Sequence, residues 1–254
     1  MPTSIIPPSD EPADFRHQAR DYARYRRGYS ATLYDAIEAS AGTGAQRLAL
    51  DLACGTGLVV RDLAARGWRV VGLDLSAPML AEITDRPLGL VRGSADAIPM
   101  PSGTVDLVTC GMGFHWMPAD ATLEEVARVL APGGQVALFW RYPLVDEPVA
   151  LVVRRILAEM GYPVPDGAYY VHPSAPFATA ALETLAALRL ETTLRFTCAE
   201  YCGYLATVEV IRRYTGADHA RFLQRVNDAL ATELPAVFEE RNEEFLFLAR
   251  RPAG

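Results

Sequence analysis

Between Arg47 and Trp140, short unbroken apolar runs alternate with helical stretches, and few folds accept that rhythm. The runs are Leu48–Leu52, Arg69–Leu73, Leu88–Val91, Val105–Cys110 and Gln135–Trp140, and the helical stretches include Leu58–Arg66, Ala77–Ile83 and Thr122–Leu130. A strand buried on both faces carries apolar residues at successive positions, whereas a strand with one wet face alternates. Repeated strand–helix–strand units predict a parallel sheet with right-handed crossovers, doubly wound α/β in class. Gly67 and the Pro132-Gly133-Gly134 turn stop helices and feed the next strand.

Around that core the chain divides into a loosely attached tail (1–13), N-terminal helices with the sheet core (14–141), an inserted cap (142–187), and last strands carrying further cap helices (188–254). Asp14 to about Ala41 reads as one helical stretch, ended by Gly42-Thr43-Gly44. Beyond Trp140, Pro143, Pro148, Pro163, Pro165, Pro173 and Pro176 punctuate the chain. The pattern there predicts helices over Val149–Met160, Val208–Arg213 and Ala220–Thr232, and strands over Leu188–Thr197 and Glu244–Arg250. The cap, with Tyr162, Tyr169, Tyr170, Phe177 and Phe222, is expected to run from Tyr142 to about Phe177 and from Tyr201 to about Glu240. It should cover the carboxyl ends of the strands and exclude water there.

The turn Asp51-Leu52-Ala53-Cys54-Gly55-Thr56-Gly57 joins the first strand of the core to its first helix, where a ligand can approach the backbone and the helix N-terminus. A dinucleotide fingerprint needs glycine at positions 55, 57 and 60, and the third position is Val60. The charge of Asp51 opposes a pyrophosphate and favours a cationic ligand without phosphate. Asp74 ends the second strand, at the separation where an acid meets ribose hydroxyls.

Leu50-Asp51-Leu52-Ala53-Cys54-Gly55-Thr56-Gly57 resembles motif I of the class I S-adenosylmethionine methyltransferases, with Ala53 where glycine is more usual. Asp74-Leu75-Ser76 with Met79, Gly93-Ser94-Ala95-Asp96-Ala97-Ile98-Pro99-Met100, and Arg128-Val129-Leu130-Ala131-Pro132-Gly133-Gly134 resemble later motifs of that family, in order over about residues 45–140. The resemblance implies a mostly parallel seven-stranded sheet with a helical cap. It also implies S-adenosyl-L-methionine as cofactor and S-adenosyl-L-homocysteine as product. By that resemblance Asp51 acts near the methionine amino group, Asp74 on the ribose and Asp96 on the adenine. Ala53, Cys54, Gly55, Gly57, Leu75, Met79, Ser94, Ala95, Ala97, Cys110 and Gly111 would line the same site.

The fourth strand ends in Cys110-Gly111-Met112-Gly113-Phe114-His115-Trp116, on the side where ligands of open α/β sheets bind. The Asn/Asp-Pro-Pro-aromatic sequence of nucleic-acid amino methyltransferases is missing there. The Phe-His-Trp run instead resembles the trans-aconitate-type subgroup, which implies a small-molecule acceptor, carboxyl or hydroxyl, near His115 and Trp116. His115 fits two roles, hydrogen-bond donor to a carboxylate or general base for a hydroxyl. Ala19-x-x-Tyr22-x-x-x-Arg26-x-x-Tyr29 resembles the opening segment of that subgroup, with Arg27 and Ser30 where prolines are usual. Arg26 is the candidate clamp for the methionine carboxylate, with Tyr22 over the same end of the cofactor. Tyr201, Tyr204 and Thr207 resemble a later segment and are expected to face substrate. Methyl transfer to a small molecule is the leading expectation. A biosynthetic enzyme of the same fold and cofactor that catalyses a cyclisation or decarboxylation is the alternative.

Composition narrows the partners. The net charge is -7, which disfavours nucleic acid, and all 24 basic residues are arginine. No apolar stretch is long enough to cross a bilayer, and the first residues lack a basic-then-apolar leader, so a cytoplasmic monomer or homodimer is expected. Cys54, Cys110, Cys198 and Cys202 fit reduced thiols, and the spacing of Cys198, Cys202 and His219 follows no zinc pattern, so no metal is expected.

Overall fold

A computed structural model describes residues 18–44, 46–84, 88–162, 164, 176, 177, 179 and 181–253. The tail 1–13, the start of the expected N-terminal helix, and Tyr169 and Tyr170 of the cap lie outside the described residues.

The elements run α1 (Ala19–Tyr25), α2 (Ala31–Ala41), β1 (Leu48–Leu52), α3 (Leu58–Ala65), β2 (Arg69–Asp74), α4 (Ala77–Ala81), β3 (Gly89–Arg92), β4 (Val105–Gly111), α5 (Ala119–Val129), β5 (Leu130–Pro143), α6 (Pro148–Glu159), β6 (Glu183–Thr197), α7 (Cys198–Ala206), α8 (Glu209–Thr215), α9 (His219–Glu233) and β7 (Val237–Arg250). They build a seven-stranded sheet in the order β3-β2-β1-β4-β5-β7-β6. β1 to β5 pair in parallel, and β7 runs antiparallel to both its neighbours. Strand order reverses between β1 and β4, so the crevice that this topology creates opens beside the glycine turn after β1.

Both faces of the sheet are covered, which is why its strands read as unbroken apolar runs. Leu50, Leu52, Val108, Cys110, Val136, Leu138 and Trp140 pack on one face with Leu123 and Val126 of α5. Ala49, Leu107, Ala137 and Phe139 pack on the other with Leu33 and Ile37 of α2 and Leu63 of α3. Each fully buried Leu, Ile or Phe contributes roughly 1.5–3 kcal/mol.

The expected single helix up to Ala41 is two helices, with residues 26–30 between them. Its carbonyls at the break are taken by tertiary contacts. Arg141, near the carboxyl end of β5, donates to the carbonyls of Gly28 and, at 2.8 Å, Arg27. Ser30 caps α2, its Oγ accepting from Leu33 N–H. The Ser30 N–H and hydroxyl donate to the two carboxylate oxygens of fully buried Glu244, at 3.1 and 2.5 Å. A proline in that place could supply neither donor.

The cap has its own core. Val149, Val153 and Ile156 of α6, Tyr201 and Leu205 of α7, and Phe222, Val226 and Leu230 of α9 pack around Phe196 and Phe238. Two boundaries and one helix here differ from the sequence reading. β6 begins at Glu183, α7 was not foreseen, and β7 begins at Val237, inside the expected cap. The acidic stretch Glu239–Glu244 stays in a strand because its buried members have partners. Glu240 accepts from Tyr201 at 2.9 Å and Asn242 at 3.0 Å, Glu244 from Ser30, and Glu243 pairs with Arg189.

α1 lies directly on α7. A Cβ at Gly203 would come within 2.6 Å of the Tyr25 ring. Gly203→Ala should therefore push α1 off the cap at a cost of about 1–3 kcal/mol. Faster proteolysis within residues 18–30 and a lower thermal midpoint are expected, and an unchanged digest would show that α1 is not seated by this contact.

Candidate active site

The turn after β1 is wound through three left-handed residues, Ala53 (φ 50°), Gly55 (φ 54°) and Gly57 (φ 80°). Ala53 carries a Cβ in that region, a cost of about 1–2 kcal/mol that glycine would not incur. The turn closes by Gly57 N–H to the Cys54 carbonyl at 2.9 Å, and α3 starts at the next residue. Room for it is made elsewhere. A Cβ at Gly113, just past β4, would meet Ala53 Cβ at 2.7 Å and Cys110 Sγ at 2.9 Å.

Asp74 ties this turn to the end of β2. Its Oδ2 accepts from Gly55 N–H at 2.8 Å and its Oδ1 from Ser76 N–H at 2.7 Å. Burial raises its pKa while those two bonds lower it. Each carboxylate oxygen keeps a lone pair for a further donor. Leu75, beside it, is 66% exposed, an unusual position for a large apolar side chain, and Met79 packs below against Gly55.

Asp51 is 2% exposed and accepts one hydrogen bond, from the Thr109 hydroxyl at 2.7 Å. Burial pushes its carboxyl up to about 8, with the nearby charge of Asp74 adding to the shift against the Thr109 bond. Thr56 Oγ1, buried in the same turn, makes no hydrogen bond. A buried carboxylate short of cationic partners beside an unsatisfied hydroxyl suits a ligand that brings an ammonium or sulfonium. The donor set therefore fits the cofactor that the sequence implies.

The loop after β3 carries Ser94, Ala95, Asp96 and Ala97, with Asp96 exposed and Ala95 buried. It is stapled by α5 through residues that sequence reasoning missed. Glu125 accepts from Ile98 N–H at 2.7 Å, and Arg128 donates to the carbonyls of Ile98 and Met100, both at 2.8 Å. The Glu125–Arg128 pair, three residues apart on an amphipathic helix, was the available signal.

A cavity at the carboxyl ends of the strands is lined by Tyr22, Arg26, Arg27, Tyr29, Leu58, Met112, Arg141 and Tyr204. The structure thus brings together Tyr22, Arg26 and Tyr204 of the residues singled out above, and adds residues from α3, β5 and the loop after β4. Arg26 stacks between the rings of Tyr22 (4.8 Å) and Tyr204 (4.9 Å). Its Nε donates to Thr207 Oγ1 and its Nη2 to the Thr207 carbonyl, each at 2.8 Å. Arg26 and Thr207 therefore join the N-terminal segment to the cap, rather than standing as an open clamp and a substrate-facing hydroxyl. Tyr201 departs from expectation as well. It is buried in the cap core with its hydroxyl spent on Glu240, because Phe196 and Phe238 enclose its ring.

After β4, Cys110 is fully buried and Met112 takes a left-handed turn (φ 55°) into the short helical turn Phe114–Trp116. A Cβ at Gly111 would strike Phe139 at 2.6 Å and the Tyr29 hydroxyl at 2.7 Å. His115 is half-buried, and its Nδ1 lies 3.1 Å from the Trp140 Nε1–H, which donates to it. Burial alone lowers the imidazole to about 4. Trp116 is 42% exposed, with Arg213 of α8 above its ring at 5.8 Å.

Comparison with known proteins now bears on this geometry. Residues 50–138, spanning the glycine turn to β5, match the family model described as Methyltransferase domain. This stretch is similar to a methyltransferase domain. A methyltransferase of Mycobacterium bovis, itself uncharacterized, is 34% identical over 147 residues, 56% of this chain and 59% of that protein. The demethylmenaquinone methyltransferase of Bacillus licheniformis is 39% identical over 97 residues, 35% of this chain and 42% of that one. The chain spans about half the length of the curated relatives it matches. A candidate type II methyltransferase from Anaeromyxobacter dehalogenans superposes with a TM-score of 0.66 at 24% identity, covering 90% of this chain and 98% of that structure, a likeness of fold. Among the described residues no helix is long and apolar enough to cross a membrane.

Buried Asp51 makes the stability of the fold pH-dependent. With its folded-state pKa raised to about 8, the favourable contribution of Asp51 is complete below about pH 4 and is lost as pH rises through 8. Asp51→Asn keeps an acceptor for Thr109 and removes the ionisation. Without cofactor it should raise the thermal midpoint at pH 8 by several degrees, at ~2–4 °C per kcal/mol, with little change at pH 4. A lower midpoint at pH 8 would refute the assignment.

Proposed function

We propose that this chain transfers a methyl group from S-adenosyl-L-methionine to a small-molecule acceptor, with carboxyl or hydroxyl oxygen as the acceptor atom. One observation carries the reading: two acids flank a left-handed glycine turn, one buried without a cation, the other with both oxygens oriented by backbone N–H groups. Asp51 would take the positively charged end of the cofactor and Asp74 the ribose hydroxyls. Leu75 and Met79 would flank the base, and Asp96 would accept from its amino group. When bound, the cofactor supplies an electrophilic methyl group on a sulfonium.

The chain's own residues supply placement. Holding the acceptor in line can contribute up to about 7–11 kcal/mol without any charged catalyst. Net acidity and the absence of an Asn/Asp-Pro-Pro sequence after β4 support the small-molecule reading over a nucleic-acid substrate.

Calorimetry should detect binding of S-adenosyl-L-homocysteine to the purified protein, and no binding would sink the proposal. Asp74→Ala removes an ionised acceptor and should weaken that binding about 10–100-fold. Equal affinity of wild type and variant would remove Asp74 from the site. Binding without methyl transfer to any of a panel of acids and phenols would favour the non-methylating alternative.

A further inference from the structure

The indole of Trp140 and the imidazole of His115 meet in a way that restricts the reaction. Trp140 sits near the carboxyl end of β5, fully buried, its ring held edge-on against Phe247 at 5.8 Å and 83°. Its Nε1–H can only donate, and it faces His115 Nδ1 at 3.1 Å. Nδ1 must therefore present its lone pair. A neutral imidazole carries one ring proton, so that proton sits on Nε2, at the edge of the ring turned away from Trp140. An imidazolium would set N–H against N–H, and the lowered pKa of this ring agrees with its staying neutral.

We propose that Trp140 is a positioning residue that fixes His115 as the Nε2–H tautomer, so that His115 donates a hydrogen bond and cannot serve as a base. This rests on the methyl-transfer reading and narrows its substrate class. With Nδ1 occupied and Nε2 protonated, the ring has no lone pair with which to take a proton. The acceptor oxygen must reach the site already ionised, as a carboxylate or an acidic phenol. Its lone pair forms the O–C bond while the C–S bond breaks with its electrons on sulfur, and no proton changes hands. An aliphatic alcohol would release a proton that His115 has no means to accept. The Trp116 ring, tilted 46° against His115 at 4.8 Å and 42% exposed, gives the acceptor an apolar surface beside that donor.

Heteronuclear correlation spectra of protein labelled with ¹⁵N-histidine test this without cofactor or acceptor. At pH 7 His115 should show an unprotonated Nδ1 and a protonated Nε2. The reverse pattern, or two protonated nitrogens, would overturn the proposal. Trp140→Phe should lose the fixed tautomer and reduce kcat/KM about tenfold, the worth of one hydrogen bond, at unchanged affinity for S-adenosyl-L-homocysteine. If that variant does not fold, the wild-type spectrum still decides. His115→Gln keeps a donor without a base and should retain activity toward ionised acceptors within about tenfold, whereas His115→Ala should not. Methyl transfer to alcohols that both His115 variants abolish would restore the base and refute this inference. Failure to bind the cofactor would instead refute the methyl-transfer reading and leave the tautomer standing.

Discussion

The carboxylate of Asp74 holds the end of β2 against the turn that follows β1. One oxygen takes the Gly55 N–H and the other the Ser76 N–H, so two loops from neighbouring strands share one anion. The strained turn through Ala53, Gly55 and Gly57 persists because this bond, the packing of Met79 below it and the close approach of Gly113 leave it no relaxed alternative. From that fixed point α3 starts, Leu58 reaches the cavity, and the loop after β4 can lie directly on Ala53.

A second constraint runs from the other side of the crevice. Arg141 and Glu244, on the adjacent strands β5 and β7, hold the broken helix between α1 and α2 through the carbonyls of Arg27 and Gly28 and both donors of Ser30. Arg26 then reaches Thr207 while stacked between Tyr22 and Tyr204, and Arg27 pairs with Glu200 at 2.8 Å. The N-terminal segment is thereby joined to sheet and cap together, and the cavity lies where the three meet. Charged groups half-removed from water hold this junction, so its stability depends on complete pairing more than on apolar area.

Much of this was legible in the residues. Four of the five core strands fell within a residue of their expected places, because burial on both faces leaves an apolar run that no turn interrupts, whereas β5 starts five residues early, at Leu130, and takes in the expected Pro132-Gly133-Gly134 turn. Asp51, Asp74 and the glycines of the first turn could be singled out because each lies at the end of a strand or in the turn that follows it. α7 was missed although its signal was present: Thr197 and Glu200 form a capping box, with Glu200 N–H donating to Thr197 Oγ1 at 3.2 Å. The tyrosines and Gly203 that follow dilute helical patterning, and what holds them helical is the cap core. The split of the N-terminal helix was hidden for the opposite reason. Its residues favour a helix, and distant Arg141 and Glu244 outbid that preference.

The sequence by itself determined a doubly wound sheet, a glycine turn hostile to pyrophosphate, and the acids around it, since each depends on neighbours a few positions away. Only the tertiary structure decided that Trp140 donates to His115, that Tyr201 belongs to the cap core, and that Arg26 is bound to the cap. The reason is physical: a ring nitrogen's partner, a hydroxyl's partner and a guanidinium's orientation are set by groups 25 to 181 residues distant along the chain, which no spacing records.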